Sequence, residues 1–330
     1  MDFIGVSYHL SWHSQPAAKA TAVIVAIGLT LTSSYAYAKI QSSALVVKHL
    51  PSAFCELEVF NPDQNRSLAY CSGTLISNGI LQTAAHCQSL MAKLISDQAA
   101  LGLHARLRYT CKPSSPRSAA DWEYFESDQF IKNPAWSSEP SQAGYLKNDL
   151  ALARVPQHAN WSPIQFVKVA REAEALKSSG NCVQAGYFGP KSEVDQEILP
   201  VLQVGKVHFL SSEDAIGLTE SSGWMSDVII RLAGFNTLFM DLLPTQTDHG
   251  DSGGAVACKD PKTGQFILIG STYGGLIGLV VTGTFPDGTE EGYLDKVMDA
   301  GPSIVDQSEF LTQQKIISTY VFSGGFSKGP

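Results

Sequence analysis

From about residue 45 onward the chain alternates short apolar runs with turn residues. Runs rich in Val, Ile, Leu, Phe and Tyr cover residues 54–60, 73–76, 101–109, 150–155, 203–210, 227–232 and 266–273, and Gly, Pro, Asn and Ser separate them. Apolar runs of this length, bounded by turn formers, are antiparallel strands of a sandwich or barrel. Helical periodicity is sparse, confined to residues 88–99, 167–177 and a segment around 303–314. Residues 133–144, rich in Ser, Pro and Asn, read as a long surface loop, and 323–330 as a mobile tail. No repeat of fixed period and no low-complexity linker breaks the pattern. The expected fold class is all-β, read as two barrels.

The first forty residues follow a different pattern. Residues 20–31 are apolar and uncharged, Lys19 precedes them, and Ala36-Tyr37-Ala38 follows with small residues at alternate positions. A run of about a dozen apolar residues falls short of the roughly 20 that span a bilayer but suits the core of a secretory signal ending at Ala38. The competing reading is an uncleaved anchor. Removing residues 1–38 takes away one acid, Asp2, and one base, Lys19, so the remaining 292 residues keep the net charge of −8 and no stable membrane span.

Composition narrows the partners. Hydrophobic residues make up 44% and charged residues 16% of the 330, too apolar a balance for disorder. The acidic charge, with no window of clustered Lys and Arg, excludes a nucleic-acid partner. All six cysteines (55, 71, 87, 111, 182 and 258) lie beyond Ala38. An even count in an exported chain reads as three disulfides, secreted to an extracellular or periplasmic space, although six cysteines allow 15 pairings. Beyond Ala38 no Cys-x-x-Cys pair or His-x-x-x-His spacing marks a metal site; the one such histidine pair, His9 and His13, lies ahead of it. No glycine-rich phosphate cradle marks a nucleotide cofactor, so none is expected.

Three segments carry chemistry: Leu81-Gln82-Thr83-Ala84-Ala85-His86-Cys87, Asn148-Asp149-Leu150-Ala151-Leu152 and Gly250-Asp251-Ser252-Gly253-Gly254. A serine hydroxyl is a poor nucleophile until a base takes its proton, and histidine has the suitable pKa. The imidazole needs a carboxylate to fix its tautomer, and a developing oxyanion needs backbone N–H donors that glycines help to present. Each segment supplies one part. Singly, a buried polar group or a turn would explain any of them; three together do not arise that way.

These signatures resemble those of the chymotrypsin/trypsin family of serine proteases, over about residues 40–310, and the chain is similar to a secreted, bacterial-like member. The resemblance implies two six-stranded antiparallel Greek-key β-barrels with the active site in the cleft between them. It puts residues 39–160 in the first barrel and 161–322 in the second. It makes His86 the general base, Asp149 the orienting acid and Ser252 the nucleophile, with the N–H groups of Gly250 and Ser252 as the oxyanion hole. It also implies the bridges Cys71–Cys87 and Cys182–Cys258, which leave Cys55 with Cys111. Polypeptide substrates are the expected partners, and protein protease inhibitors are further candidates.

The pattern departs from the family in two places. No Ile-Val-Gly-Gly start occurs, but Lys39-Ile40 follows Ala38. Loss of Lys39 from a zymogen would free an Ile40 ammonium to pair with Asp251; alternatively, Asp251 is satisfied by local hydrogen bonds. The resemblance also puts Gln246 at the base of the primary pocket, where a neutral amide offers no charge to hold Arg or Lys, so strictly trypsin-like cleavage is not expected. Asp248 stands where many relatives carry a cysteine, which leaves the shape of that loop open. Thr272-Tyr273-Gly274 resembles the strand that lines the pocket, or is a plain core strand with a glycine turn. Asn65-Arg66-Ser67 and Asn160-Trp161-Ser162 are sequons that matter only in a eukaryotic secretory route, and His249 has no motif of its own. The expected function is serine endopeptidase activity; the alternative is a catalytically silent binding protein on the same fold.

Overall fold

The alternation of Phe54-Cys55-Glu56-Leu57-Glu58-Val59 builds the central strand of the first sheet, β1 (Phe54–Asn61). The computed structural model describes residues 52–113, 117–139, 142, 144–157, 160–188, 201–220, 237–241, 250–284 and 290–305. All of these lie within the unit Ala38–Pro330. Residues 1–38, where a signal is expected, Lys39-Ile40, the run at 227–232, Gln246, Asp248, His249 and residues 323–330 lie outside the described residues. Among the described residues no helix is long and apolar enough to cross a membrane.

β1 turns back into β2 (Arg66–Ser77), and Asn78-Gly79 turns β2 into β3 (Ile80–Thr83). Gly79 sits at φ +76°, a left-handed position suited to glycine in a tight hairpin. Four further strands complete the sheet: β4 (Arg106–Thr110), β5 (Glu123–Phe125), β6 (Phe130–Lys132) and β7 (Ala151–Arg154). The seven run in the order β5-β4-β1-β2-β3-β7-β6, every pair antiparallel. Cys55, Leu57 and Val59 are buried in the core formed with Leu75, Leu81 and Leu107. Cys55–Cys111 ties β1 to the end of β4, and Cys71–Cys87 ties β2 to helix α1 (Ala85–Ala100).

The second half contains β8 (Gln165–Phe166), β9 (Cys182–Phe188), β10 (Val201–Lys206), β11 (Phe209–Leu210), β12 (Thr237–Asp241), β13 (Ala255–Lys259), β14 (Phe266–Ser271), β15 (Gly274–Thr284) and β16 (Glu290–Pro302). They pair in the orders β10-β9-β13-β14-β8 and β11-β12-β16-β15. All pairs are antiparallel except β14 with β8. A bridge between Gly270 and Ser303, with Ile304 N–H donating to Ile269 O at 2.9 Å, joins the two sheets into the second barrel. Cys182–Cys258 links directly opposed residues of β9 and β13. The fold is the all-β, two-barrel class that the resemblance implies.

Helices are few among the described residues: α1, α2 (Gly144–Lys147), α3 (Ala170–Ser178) and α4 (Ser212–Glu220). α1 covers the helical periodicity of 88–99, and α3 covers residues 170–177 of the second segment, whose first three residues, 167–169, lie ahead of the helix. Two further local expectations are corrected. Residues 101–105 do not join a strand, because the chain leaves α1 there through Gly102 at φ +70°, a left-handed helix stop. Ser303 lies in the bridge to Gly270 rather than opening a helix. α4 has no apolar stripe to announce it, but Ser211 and Asp214 cap it reciprocally: Asp214 N–H donates to Ser211 Oγ at 3.0 Å and Ser211 Oγ donates to Asp214 Oδ2 at 2.7 Å.

The outer face of β1 is not wet. Glu56 and Glu58 are 2% and 4% exposed. Glu58 receives a forked hydrogen bond from Arg108 at 2.9 and 3.1 Å, and Glu56 receives one from Arg117. The Arg108 guanidinium lies 3.5 Å from the Phe60 ring centroid and 4.1 Å from that of Trp122. Burial pushes the Glu56 carboxyl up to about 7, with Arg117 pulling it the other way. Arg117→Met removes that pull, so the folded value of Glu56 moves further above its ordinary 4.5. Stability tied to a raised acid is intact below the unfolded value and lost as pH rises through the folded one. We expect Arg117→Met to cost about 3–5 kcal/mol near pH 8 and clearly less near pH 5. Denaturant unfolding at both pH values checks this, and equal losses would show that Glu56 is not responsible.

Candidate active site

β3 runs directly into α1, which places His86 in the first turn of that helix, behind the disulfide of Cys87. Asp149 lies between α2 and β7 with no exposed surface. Both its oxygens point at His86: Oδ1 accepts the His86 backbone N–H at 2.8 Å, and Oδ2 faces Nδ1 at 2.7 Å. A carboxylate there needs the proton on Nδ1, which leaves Nε2 as the basic nitrogen. Burial lowers the affinity of His86 for a second proton, but the charge of Asp149 and its hydrogen bond outweigh burial and hold the pKa above the ordinary histidine value.

The serine arrives from the second barrel. Gly250 at φ +102° and Gly253 at φ +82° flank it in conformations that favour glycine. Space also requires them: a Cβ on Gly250 would stand 2.2 Å from Tyr70 Cε2, and one on Gly253 2.1 Å from Thr83 Oγ1. The Ser252 hydroxyl is turned to the Tyr273 carbonyl, to which it donates at 3.0 Å. His86 Nε2 and Ser252 O each lie 3.7 Å from Cys87 Sγ, so the two residues meet across that sulfur. The Tyr273 ring stands edge-on to His86, 5.3 Å between centroids. Residues 86, 149, 252 and 273 thus come together from two barrels.

Other expected site residues are placed as follows. Asp251 is buried, its Oδ1 packed so tightly on Gly186 that a Cβ there would approach within 2.3 Å. Thr272 is fully buried, its hydroxyl accepting from Gln184 Nε2 at 3.0 Å, its backbone exchanging bonds with Gly253 and Gly254. It therefore braces the serine turn. Gly274, at φ +144°, faces open space where a Cβ would stand. Gln246 and Ile40 fall outside the described residues.

Three further participants have no role of their own in the sequence motifs. Ser72 and Gln82 reach across from the first barrel, Gln82 Nε2 donating to Ser271 Oγ at 2.8 Å. The hydroxyl of Tyr145 pairs with that of Tyr273. Burial, with Tyr145 and Asp149 close by, pushes the Tyr273 phenol up, so it stays neutral. A cavity of about 610 Å³ lined by Pro163, Gln165, Lys259 and Phe266 contains none of these residues. Hydrogen bonding, not cavity size, marks the site.

The family model described as Trypsin matches residues 62–288, more than half of the chain. The chain belongs to the trypsin family. This trypsin-family chain is 25% identical over 205 residues to bovine (Bos taurus) chymotrypsin-like elastase family member 1, covering 61% of this chain and 66% of that one. The human (Homo sapiens) counterpart is 26% identical over 191 residues, covering 57% and 64%. The match thus spans a little under two thirds of these relatives' length. Among solved structures, HL collagenase superposes with a TM-score of 0.51 over 81% of this chain and 94% of its own, at 20% identity, a likeness of fold. The family match includes all three segments that carry His86, Asp149 and Ser252.

Proposed function

We propose that this trypsin-family chain is a secreted serine endopeptidase that hydrolyses polypeptides through an acyl-enzyme. The observation that carries the reading is the buried Asp149 holding His86 by both a side-chain and a backbone bond beside the Ser252 turn. In the reaction, the Ser252 hydroxyl swings from the Tyr273 carbonyl toward His86 and attacks the scissile carbonyl carbon. Nε2 takes the hydroxyl proton, and the imidazolium is stabilised by Asp149. The negative oxygen of the tetrahedral intermediate is held by the N–H groups of Gly250 and Ser252. His86 then gives its proton to the departing amine, and water repeats the sequence in reverse to free Ser252.

The resemblance that puts Gln246 in the primary pocket argues against strictly trypsin-like cleavage after Arg or Lys. Secretion follows from the leader ahead of residue 39 together with three disulfides, which persist in oxidising compartments. Activation by loss of Lys39 would bring the Ile40 ammonium to Asp251; N-terminal sequencing of active enzyme that begins at Lys39 would sink it. A fluorophosphonate probe, which needs an activated serine, is expected to label the native chain on Ser252 as mapped by mass spectrometry. A chain that stays unlabelled while folded would favour the silent binding protein.

A further inference from the structure

We infer that Ser72, on the opposite barrel, is a positioning residue that holds the Ser252 turn in its oxyanion-binding conformation; the inference rests on the proposed peptidase reading. Continuing the β2–β3 register, in which Thr74 opposes Gln82, would set Ser72 opposite Ala84. The chain has by then left β3 for α1, so the edge of β2 at Ser72 is open to another partner. The serine turn of the second barrel takes that place. Ser72 N–H donates to Ser252 O at 2.8 Å, and Ser72 Oγ donates to Gly250 O at 2.7 Å. The same Oγ accepts the Tyr187 N–H at 2.6 Å, and Ser72 O accepts the Thr83 hydroxyl at 2.6 Å. With 1% of its surface exposed, the residue has every polar group engaged.

The two carbonyls drawn to Ser72 flank the peptide that presents the Ser252 N–H. Fixing both on the protein side leaves that N–H facing the cleft. Gly250, at φ +102° and without a Cβ, offers little steric resistance to rotation of its following peptide plane. The Ser72 hydroxyl supplies the resistance that glycine lacks. Because that hydroxyl is itself held by Tyr187 N–H, its proton is directed at Gly250 O rather than free to turn elsewhere. The device belongs to the transition state: a ground-state peptide is held mainly by other contacts, whereas the oxyanion depends on these N–H groups.

The test is kinetic, on the active form, with Ser72→Ala and Ser72→Gly, both of which keep the backbone N–H and remove the hydroxyl. Sites are counted by exhaustive fluorophosphonate labelling, so kcat refers to folded, competent enzyme only. Loss of a buried bond of this kind is expected to lower kcat about 10- to 100-fold, with KM changed less than about threefold. A peptide boronic acid should lose affinity by the same factor as kcat/KM, and a cleaved-product peptide should not. Unchanged kcat per site overturns the inference. So does parallel weakening of boronate and product, or failure of both variants to fold, each of which makes Ser72 structural only. A wild-type chain that takes no label fails at the peptidase reading instead.

Discussion

Replacing Ser252 by alanine is expected to lower kcat for a peptide substrate about 10⁶-fold while KM stays within a few-fold. In the proposed reaction this hydroxyl forms the bond to the scissile carbon, and among the described residues the Tyr273 phenol beside His86 is held neutral and hydrogen-bonded to Tyr145. Folding should be little affected. The Oγ makes one bond, to Tyr273 O, and the turn around it is fixed by Gly250, Gly253 and backbone bonds to Ser72, Thr272 and Asp251. What activity survives should come from substrate positioning and the oxyanion donors alone. Steady-state kinetics on variant protein with wild-type thermal stability checks this; retention of more than about a thousandth of wild-type kcat would mean that Ser252 is not the nucleophile.

The Asp149→Asn variant should lose about 10⁴-fold in kcat and shift its pH profile. Asp149 does two things to His86, placing the proton on Nδ1 and raising the pKa against the opposing effect of burial. An asparagine amide can donate to Nδ1, which moves the imidazole proton to Nε2 and leaves no base toward Ser252. It also carries no charge, so burial then acts unopposed. In wild type the acid limb of kcat/KM should titrate above the ordinary histidine value, and in Asp149→Asn below it. The stability side has the matching sign: the raised His86 value stabilises the fold at pH below its unfolded value, and this fades as pH rises through the folded one. Histidine NMR titration of both proteins separates the two effects. An acid limb unmoved by the substitution would remove Asp149 from the role.

Much of the strand pattern was legible because each apolar run between turn formers is a local signal. Residues 54–60 are strand over their whole length, and the helical periodicity of 88–99 lies within α1. At 101–105 the apolar Leu101 and Leu103 imitate a strand, while the decisive residue, Gly102, acts by conformation. Alternation also misleads at Glu56 and Glu58. Two acids at alternate positions of a strand ordinarily face water, yet here they face Arg117 and Arg108, 61 and 50 residues away. Local pattern carries no information about a partner that distant.

The same division holds at the site. The sequence by itself determined which residue types are present, in what order, and in what local setting: a histidine ahead of a cysteine, an acid at the head of a strand, a serine between glycines. Those features are contiguous, and glycine's freedom at positive φ can be read from its identity. Only the tertiary structure decided that Asp149 grips His86 at two points, that Tyr145 steadies Tyr273, and that Ser72 occupies an open sheet edge against the serine turn. Ser72 and Gly250 are 178 positions apart. Their bond exists because β3 ends one residue short of the position opposite Ser72 and a second barrel fills the space, and such complementarity arises between folded surfaces rather than along the chain.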